Sequence, residues 1–163
     1  MRLLHAETEK ALNELLKLTF QCNSHADNCA YNLAYLTMSQ AEKLYHEVYA
    51  HKFPEWADMI SDYIVSLGGV PVRLGLEPNV ERYEDFKEVF IETQENLKEY
   101  REKIYEVVEI ADMHNNREIV CLLDDLLKML IPYFKQVHIW ATKAARIGDM
   151  DKFDEDFEDF TFI

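Results

Sequence analysis

The stretch Asp62–Pro71, with the sequence DYIVSLGGVP, decides how this chain folds. Apolar side chains precede its centre at helical spacing, and the paired glycines Gly68 and Gly69 supply the backbone freedom with which helices commonly end. Pro71 follows closely and cannot continue a helix, because proline has no backbone N–H to donate. We therefore predict that a helix ends at about Leu67 and that an irregular connection begins there.

The helix before this stop, predicted helix B, runs from about Gln40 to Leu67. Pro54 lies inside it, and it should either kink the helix or mark the first turn of a restarted one. Residues at helical spacing are predicted to face inward. They are Leu44, Tyr45, Val48, Tyr49, Trp56, Ile60, Tyr63 and Leu67.

Three further segments have the same helical period. Predicted helix A covers about residues 4–36, helix C about 83–114 and helix D 119–147, with Asn115 and Asn116 between C and D. No segment alternates with period two over the length of a strand, so the protein is predicted to be all-α. Pro132 should bend helix D.

The lengths of the connections predict the topology. Short A–B and C–D turns make those neighbours antiparallel, whereas the long connection from Gly68 to Arg82 can cross the bundle and makes B and C parallel. A four-helix bundle with one long B–C crossover is predicted for residues 1–148.

Residues 149–163 form an acidic tail with phenylalanines at positions 153, 157 and 160, which is expected to dock on the bundle as a short helix. An acidic metal-attracting lining and a partner peptide are the alternatives for this tail.

Composition limits the possible functions. A net charge of −14 disfavours binding to nucleic acid or anionic lipid. No apolar run is long enough for a membrane span, and the first residues lack the apolar core of a signal peptide, so a cytoplasmic protein without membrane contact is expected. Cys22, Cys29 and Cys121 are expected to be small buried hydrophobic residues in a reducing compartment.

The chain resembles the ferritin and Dps (miniferritin) superfamily over roughly residues 10–148. Asp62–Pro71 is similar to the end of helix B there, and the helix and loop lengths from Tyr63 to Gly148 match without a gap. His138-Ile139-Trp140 resembles the His-Ile-Trp of the fourth Dps helix. The resemblance implies a cage of identical subunits that takes up Fe(II).

The di-iron centre inside each ferritin bundle is not implied for this chain. Such a centre uses carboxylates and a Glu-x-x-His motif, which this sequence does not contain. None of the residues aligned with the family's ligands binds iron well. These residues are Thr19, Phe53, Trp56, Leu97 and Pro132.

Dps proteins instead hold iron between two subunits, and here the resemblance places Glu47, Asp58 and Asp62 at the three carboxylate positions. At about 100° per residue these three share one side of helix B with His51. The family's histidine positions are occupied by Tyr31 and Lys43. His51, or His25 on helix A, could substitute for them, whereas His46 is expected on the flank of helix B.

Two functions follow from these observations. The first is an iron-binding cage subunit for iron storage. Its oxidation of Fe(II) is expected to be weak or to take place at the Asp58/Asp62 site, so the sequence does not decide whether the protein is a ferroxidase. The second is a degenerate structural or binding scaffold, on which the same acidic stripe is a solvated helix face. A peroxide-consuming Dps-type enzyme would need histidine donors at that site.

Association into an oligomer is expected because apolar side chains remain on the outer helix faces. These side chains are Tyr31, Tyr35, Tyr45, Tyr49 and Val65.

Overall fold

The computed structural model describes all residues from Met1 to Ile163 and contains helices but no strand. The prediction of an all-α fold is confirmed. None of the helices combines the length and the apolar character that crossing a membrane requires. The elements are α1 (Ala6–Tyr35), α2 (Ser39–Leu44), a π-helix (Tyr45–Ala50), α3 (Lys52–Ser66), α4 (Phe86–Met113), α5 (Arg117–Ile147), α6 (Met150–Glu155) and a 3₁₀-helix (Phe157–Phe160).

Predicted helix B consists of three successive pieces, α2, the π-helix and α3. An interruption of helix B was predicted at Pro54, but the π-helix before it was not predicted; its wider turns let His51 N–H donate to His46 C=O at 3.2 Å. Pro54 is the third residue of α3. Its missing N–H is not needed there, since the first N–H groups of a helix have no partner within it. The alternative of a restarted helix is therefore confirmed.

Side-chain contacts confirm the parallel arrangement of helices B and C. Near the start of both segments the Tyr45 hydroxyl bonds Thr93 Oγ1 at 2.7 Å. Further along both, the Trp56 ring stacks on Tyr100 with 6.2 Å between ring centroids. Trp140, near the end of α5, lies against Tyr45, so α5 runs in the opposite direction.

The crossover, residues 67–85, lies along α1 and is held there by amide side chains. Helix α4 begins at Phe86, three residues later than predicted, because the Asp85 carboxylate caps it by accepting from Lys87 N–H at 3.0 Å. The amides of α1 bond the crossover backbone at residues 70, 72, 77, 81 and 83. They belong to Asn13, Gln21, Asn28 and Asn32.

The glycine stop of helix B is a site of close backbone approach. Gly68 has a φ of +83°, and a Cβ there would lie 2.5 Å from the Met1 carbonyl oxygen. The N–H groups of Leu3 and Leu4 both donate to Leu67 C=O, at 3.0 and 3.1 Å. Glycine is therefore required here both for the left-handed backbone and for space, and the N-terminal residues close this end of the bundle.

The C-terminal tail docks on its own bundle, as predicted. Phe153, Phe157 and Phe160 are buried in the same hydrophobic core as the four long helices. The Gln136 side-chain amide donates to Phe160 C=O at 2.6 Å. The Asp154 carboxylate accepts from the N-terminus of α2 at 2.8 Å. These contacts connect the tail to both α5 and α2.

Several predictions of exposure were wrong. Tyr63, predicted to face inward, is exposed. Tyr45 and Tyr49 are buried, which confirms their inward positions in helix B and contradicts their place among the residues of the outer faces. Cys121 is exposed on α5, and all three cysteines are free thiols. His138 is also exposed. Helical spacing alone could not predict whether these side chains are buried. The π-helix shifts the register of helix B, and a residue at the edge of an apolar stripe has nearly the same spacing as a residue within it.

Candidate functional site

The five positions that the resemblance aligns with the family's iron ligands inside the bundle hold no metal-binding side chain. Thr19 is fully buried, and its hydroxyl donates to Leu15 C=O at 2.8 Å. The Thr19 oxygen in turn accepts a hydrogen bond from the Tyr100 hydroxyl, also at 2.8 Å. Phe53, Trp56 and Leu97 are buried and Pro132 is exposed. Neither a carboxylate nor an imidazole occurs at these five positions.

Aromatic rings fill the centre of the bundle instead. Tyr49 and Phe53 pack edge to face with centroids 5.3 Å apart, and Phe53 contacts Trp56 in the same way at 5.1 Å. Burial raises the pKa of both Tyr49 and Tyr100, so their hydroxyl groups stay neutral. The rings that pack in this way at the centre include Tyr45, Tyr49, Phe53, Trp56, Phe90, Tyr100 and Trp140.

His25 does not join the predicted carboxylate site. It is buried between α1 and α4, where its Nε2 lies 3.2 Å from the Asn96 side-chain amide nitrogen. Burial lowers its pKa, which favours the neutral imidazole. Cys22 and Cys29 are buried nearby, and burial raises the pKa of each thiol to about 12. These thiols therefore remain protonated and are not available as thiolate ligands.

Asp58 and Asp62 lie one turn apart on α3 and are both exposed. Neither carboxylate takes part in an ion pair. The neighbouring hydroxyl groups of Ser61 and Ser66 donate to the backbone carbonyls of these two residues, at 2.9 and 2.7 Å, rather than to their carboxylates. Both carboxylates are therefore free to bind a cation from the same face of the helix.

The other predicted members of the site lie on separate pieces of helix B. Glu47 is exposed on the π-helix, and His51 follows that helix immediately. The wider turns move Glu47 off the face that an uninterrupted α-helix predicts. Tyr31 and Lys43 are exposed. No group of three or more His, Cys, Asp and Glu side chains in the chain is arranged to hold a metal ion.

His51 contacts His46 rather than an acidic residue. The two ring centroids are 4.4 Å apart, and His46 Nε2 lies 3.3 Å from Asp27 Oδ1 on α1. Residues five apart do not contact one another along an α-helix, so the periodicity applied to the sequence missed this pair. The π-helix brings them together, and it has no signature in the apolar pattern.

The fold is thus a helical bundle with one long crossover. A model of the ferritin-like domain matches residues 9–145, and the chain belongs to the ferritin-like family. A comparison with curated proteins found no match.

Proposed function

We propose that this protein is an iron-binding subunit of a ferritin-like cage that stores or sequesters iron. The observation that carries the proposal is the pair of unpaired, exposed carboxylates Asp58 and Asp62, one turn apart on α3. Carboxylate oxygens are hard ligands suited to Fe(II), which is the cargo rather than a resident cofactor. Oxidation is weak or takes place at this site.

One chain supplies too few ligands for a closed coordination sphere. Asp58 and Asp62 can bind one cation together, whereas Glu47 and His51 lie on or beside the π-helix and are not grouped with them. A second subunit facing α3 would complete the coordination sphere, as the resemblance to Dps implies. The net charge of −14 supports this function, because an acidic surface raises the local concentration of Fe(II).

A second candidate function is a binding scaffold without metal chemistry. The aromatic cluster favours it, since Phe53 and Trp56 occupy positions that would otherwise hold iron ligands. On this alternative, Asp58 and Asp62 form a solvated helix face. Aerobic addition of Fe(II) separates the two functions, because only the first predicts a ferric core that co-elutes with the protein.

The chain is expected to form a stable oligomer. Tyr31, Tyr35 and Val65 are about 60% exposed, at 65%, 61% and 59%, and Val80 is 81% exposed. Closed symmetric assembly is the usual way in which proteins bury such apolar surface. Sedimentation velocity at micromolar concentration should show a single large species. A stable monomer of 19.3 kDa would contradict the cage.

The double substitution Asp58→Ala with Asp62→Ala should weaken Fe(II) binding and slow the formation of ferric mineral. Both carboxylates are exposed, so we expect the change in stability to stay within about 0.5 kcal/mol. Relief of like-charge repulsion along α3 could even raise the melting temperature slightly. Stopped-flow absorbance of ferric species and a thermal melt measure the two quantities.

A matched control is Glu95→Ala with Glu99→Ala on α4. These residues are also exposed and four apart, and neither is in an ion pair, so the control removes the same charge from another helix. Equal iron uptake by the wild type and both double variants would refute the Asp58/Asp62 site. Equal loss in both would assign iron uptake to the overall acidic surface.

A further inference from the structure

His46 and His51 are brought into contact by the π-helix that interrupts helix B. The π-helix Tyr45–Ala50 places residues five apart one above the other, and the His46 and His51 ring centroids are 4.4 Å apart with 59° between the ring planes. Single π turns inside α-helices are rare and occur frequently at functional sites. Both rings reach solvent, since His51 is exposed and the His46 side chain is 34% exposed.

The separation of the two rings suits a shared metal ion. A metal bound about 2.0–2.1 Å from each ring nitrogen lies about 3.2 Å from each ring centroid, so a right angle at the metal separates the centroids by about 4.5 Å and a tetrahedral angle by about 5.2 Å. The observed 4.4 Å agrees with the right angle of square-planar and octahedral sites, which suit Cu(II) and Ni(II), and an outward rotation of the exposed His51 ring gives the tetrahedral separation that Zn(II) requires. The other contacting histidine pair is His5 and His114, whose rings stack almost parallel, with centroids 3.7 Å apart and 10° between the ring planes. The nitrogen lone pairs of parallel rings lie in separate planes and do not converge on one ion.

Asp27 is placed to orient one of the two rings. Its Oδ1 lies 3.3 Å from His46 Nε2. A carboxylate that accepts the N–H of one ring nitrogen fixes the tautomer and leaves the other nitrogen, here Nδ1, unprotonated for a metal. Metal-bound histidines in proteins very commonly have such a carboxylate partner. The partner comes from α1, so the arrangement depends on the packing of two helices.

We propose that His46 and His51 bind a divalent transition-metal ion of the imidazole-preferring class, such as Zn(II), Ni(II) or Cu(II), with Asp27 as a positioning residue. Two protein nitrogens hold the ion and water fills its remaining positions, so the site is open and exchangeable. This site differs in donor chemistry from the carboxylate pair on α3. The inference rests on the geometry of the imidazoles and does not require the proposed iron function.

Zn(II) titration of the full-length protein, monitored by competition with a chromophoric zinc indicator, tests the site. We expect His46→Gln and His51→Gln each to weaken the tightest binding event by about tenfold or more, and Asp27→Asn to weaken it by about tenfold, as for other carboxylates that orient a metal-bound histidine. The matched control is His138→Gln, which removes an exposed histidine from α5. It should leave this binding event unchanged.

Electron paramagnetic resonance of the Cu(II)-loaded protein provides a readout that a general loss of stability would not imitate. The wild type and His138→Gln should show hyperfine coupling to two imidazole nitrogens, whereas His46→Gln and His51→Gln should each show one. Thermal melts establish that every variant is folded. Unchanged zinc affinity in either His46→Gln or His51→Gln, or an equal loss in His138→Gln, would overturn the paired site.

Discussion

Removal of residues 149–163 should abolish cooperative folding at physiological temperature. Phe153 and Phe157 are fully buried and Phe160 is 6% exposed, all within the central core. Truncation of one buried phenylalanine typically costs about 3–5 kcal/mol, while the whole folding free energy of a domain is about 5–15 kcal/mol. Loss of three such rings therefore approaches the total stability. Circular dichroism and a thermal melt of the truncated chain measure the effect.

A single substitution tests the same prediction in a chain that still folds. Phe157→Ala should lower the free energy of unfolding by about 3–5 kcal/mol, because the ring packs against Trp140 at 5.3 Å and Phe90 at 6.1 Å. Phe162→Ala is the matched control, since that ring is 64% exposed. Urea denaturation with equal midpoints for the two variants would show that the tail is an appendage rather than part of the core.

Thr19→Glu should destabilise the bundle by several kcal/mol without creating an iron site. Position 19 has no exposed surface, and the new carboxylate would lose its hydration without gaining a basic partner. Burial raises the pKa of such a carboxyl group, so the folded state would bind its proton more tightly than the unfolded chain. The penalty should therefore grow as the pH rises above the unfolded value of about 4.3 and shrink at lower pH.

Thr19→Val separates the cost of charge from the cost of a lost hydrogen bond. It leaves the Tyr100 hydroxyl without the acceptor that now lies 2.8 Å away, at an expected cost of about 1–3 kcal/mol that does not vary with pH over this range. Urea denaturation at several pH values measures both variants. Faster iron oxidation in a fully stable Thr19→Glu protein would instead show that the bundle interior still accepts a metal.

The candidate sites were predictable from the sequence only in part. Helical period and the family resemblance placed Asp58 and Asp62 on one outward face, and the structure has both exposed one turn apart. Their role in metal binding stays a prediction. The contact between His46 and His51 could not be predicted, because it depends on a change of helix type that leaves the spacing of apolar residues almost unaltered.

The sequence by itself determined the all-α fold, the end of helix B at the paired glycines and the parallel course of helices B and C. These features depend on local properties, namely the apolar period, the glycines at positions 68 and 69 and the length of the connection that follows. Only the tertiary structure revealed the π-helix, the exposure of Cys121 and His138, and the hydrogen bonds from the α1 amide side chains to the crossover backbone. These depend on which surfaces meet in space, because burial and hydrogen-bond partners come from residues distant in the chain.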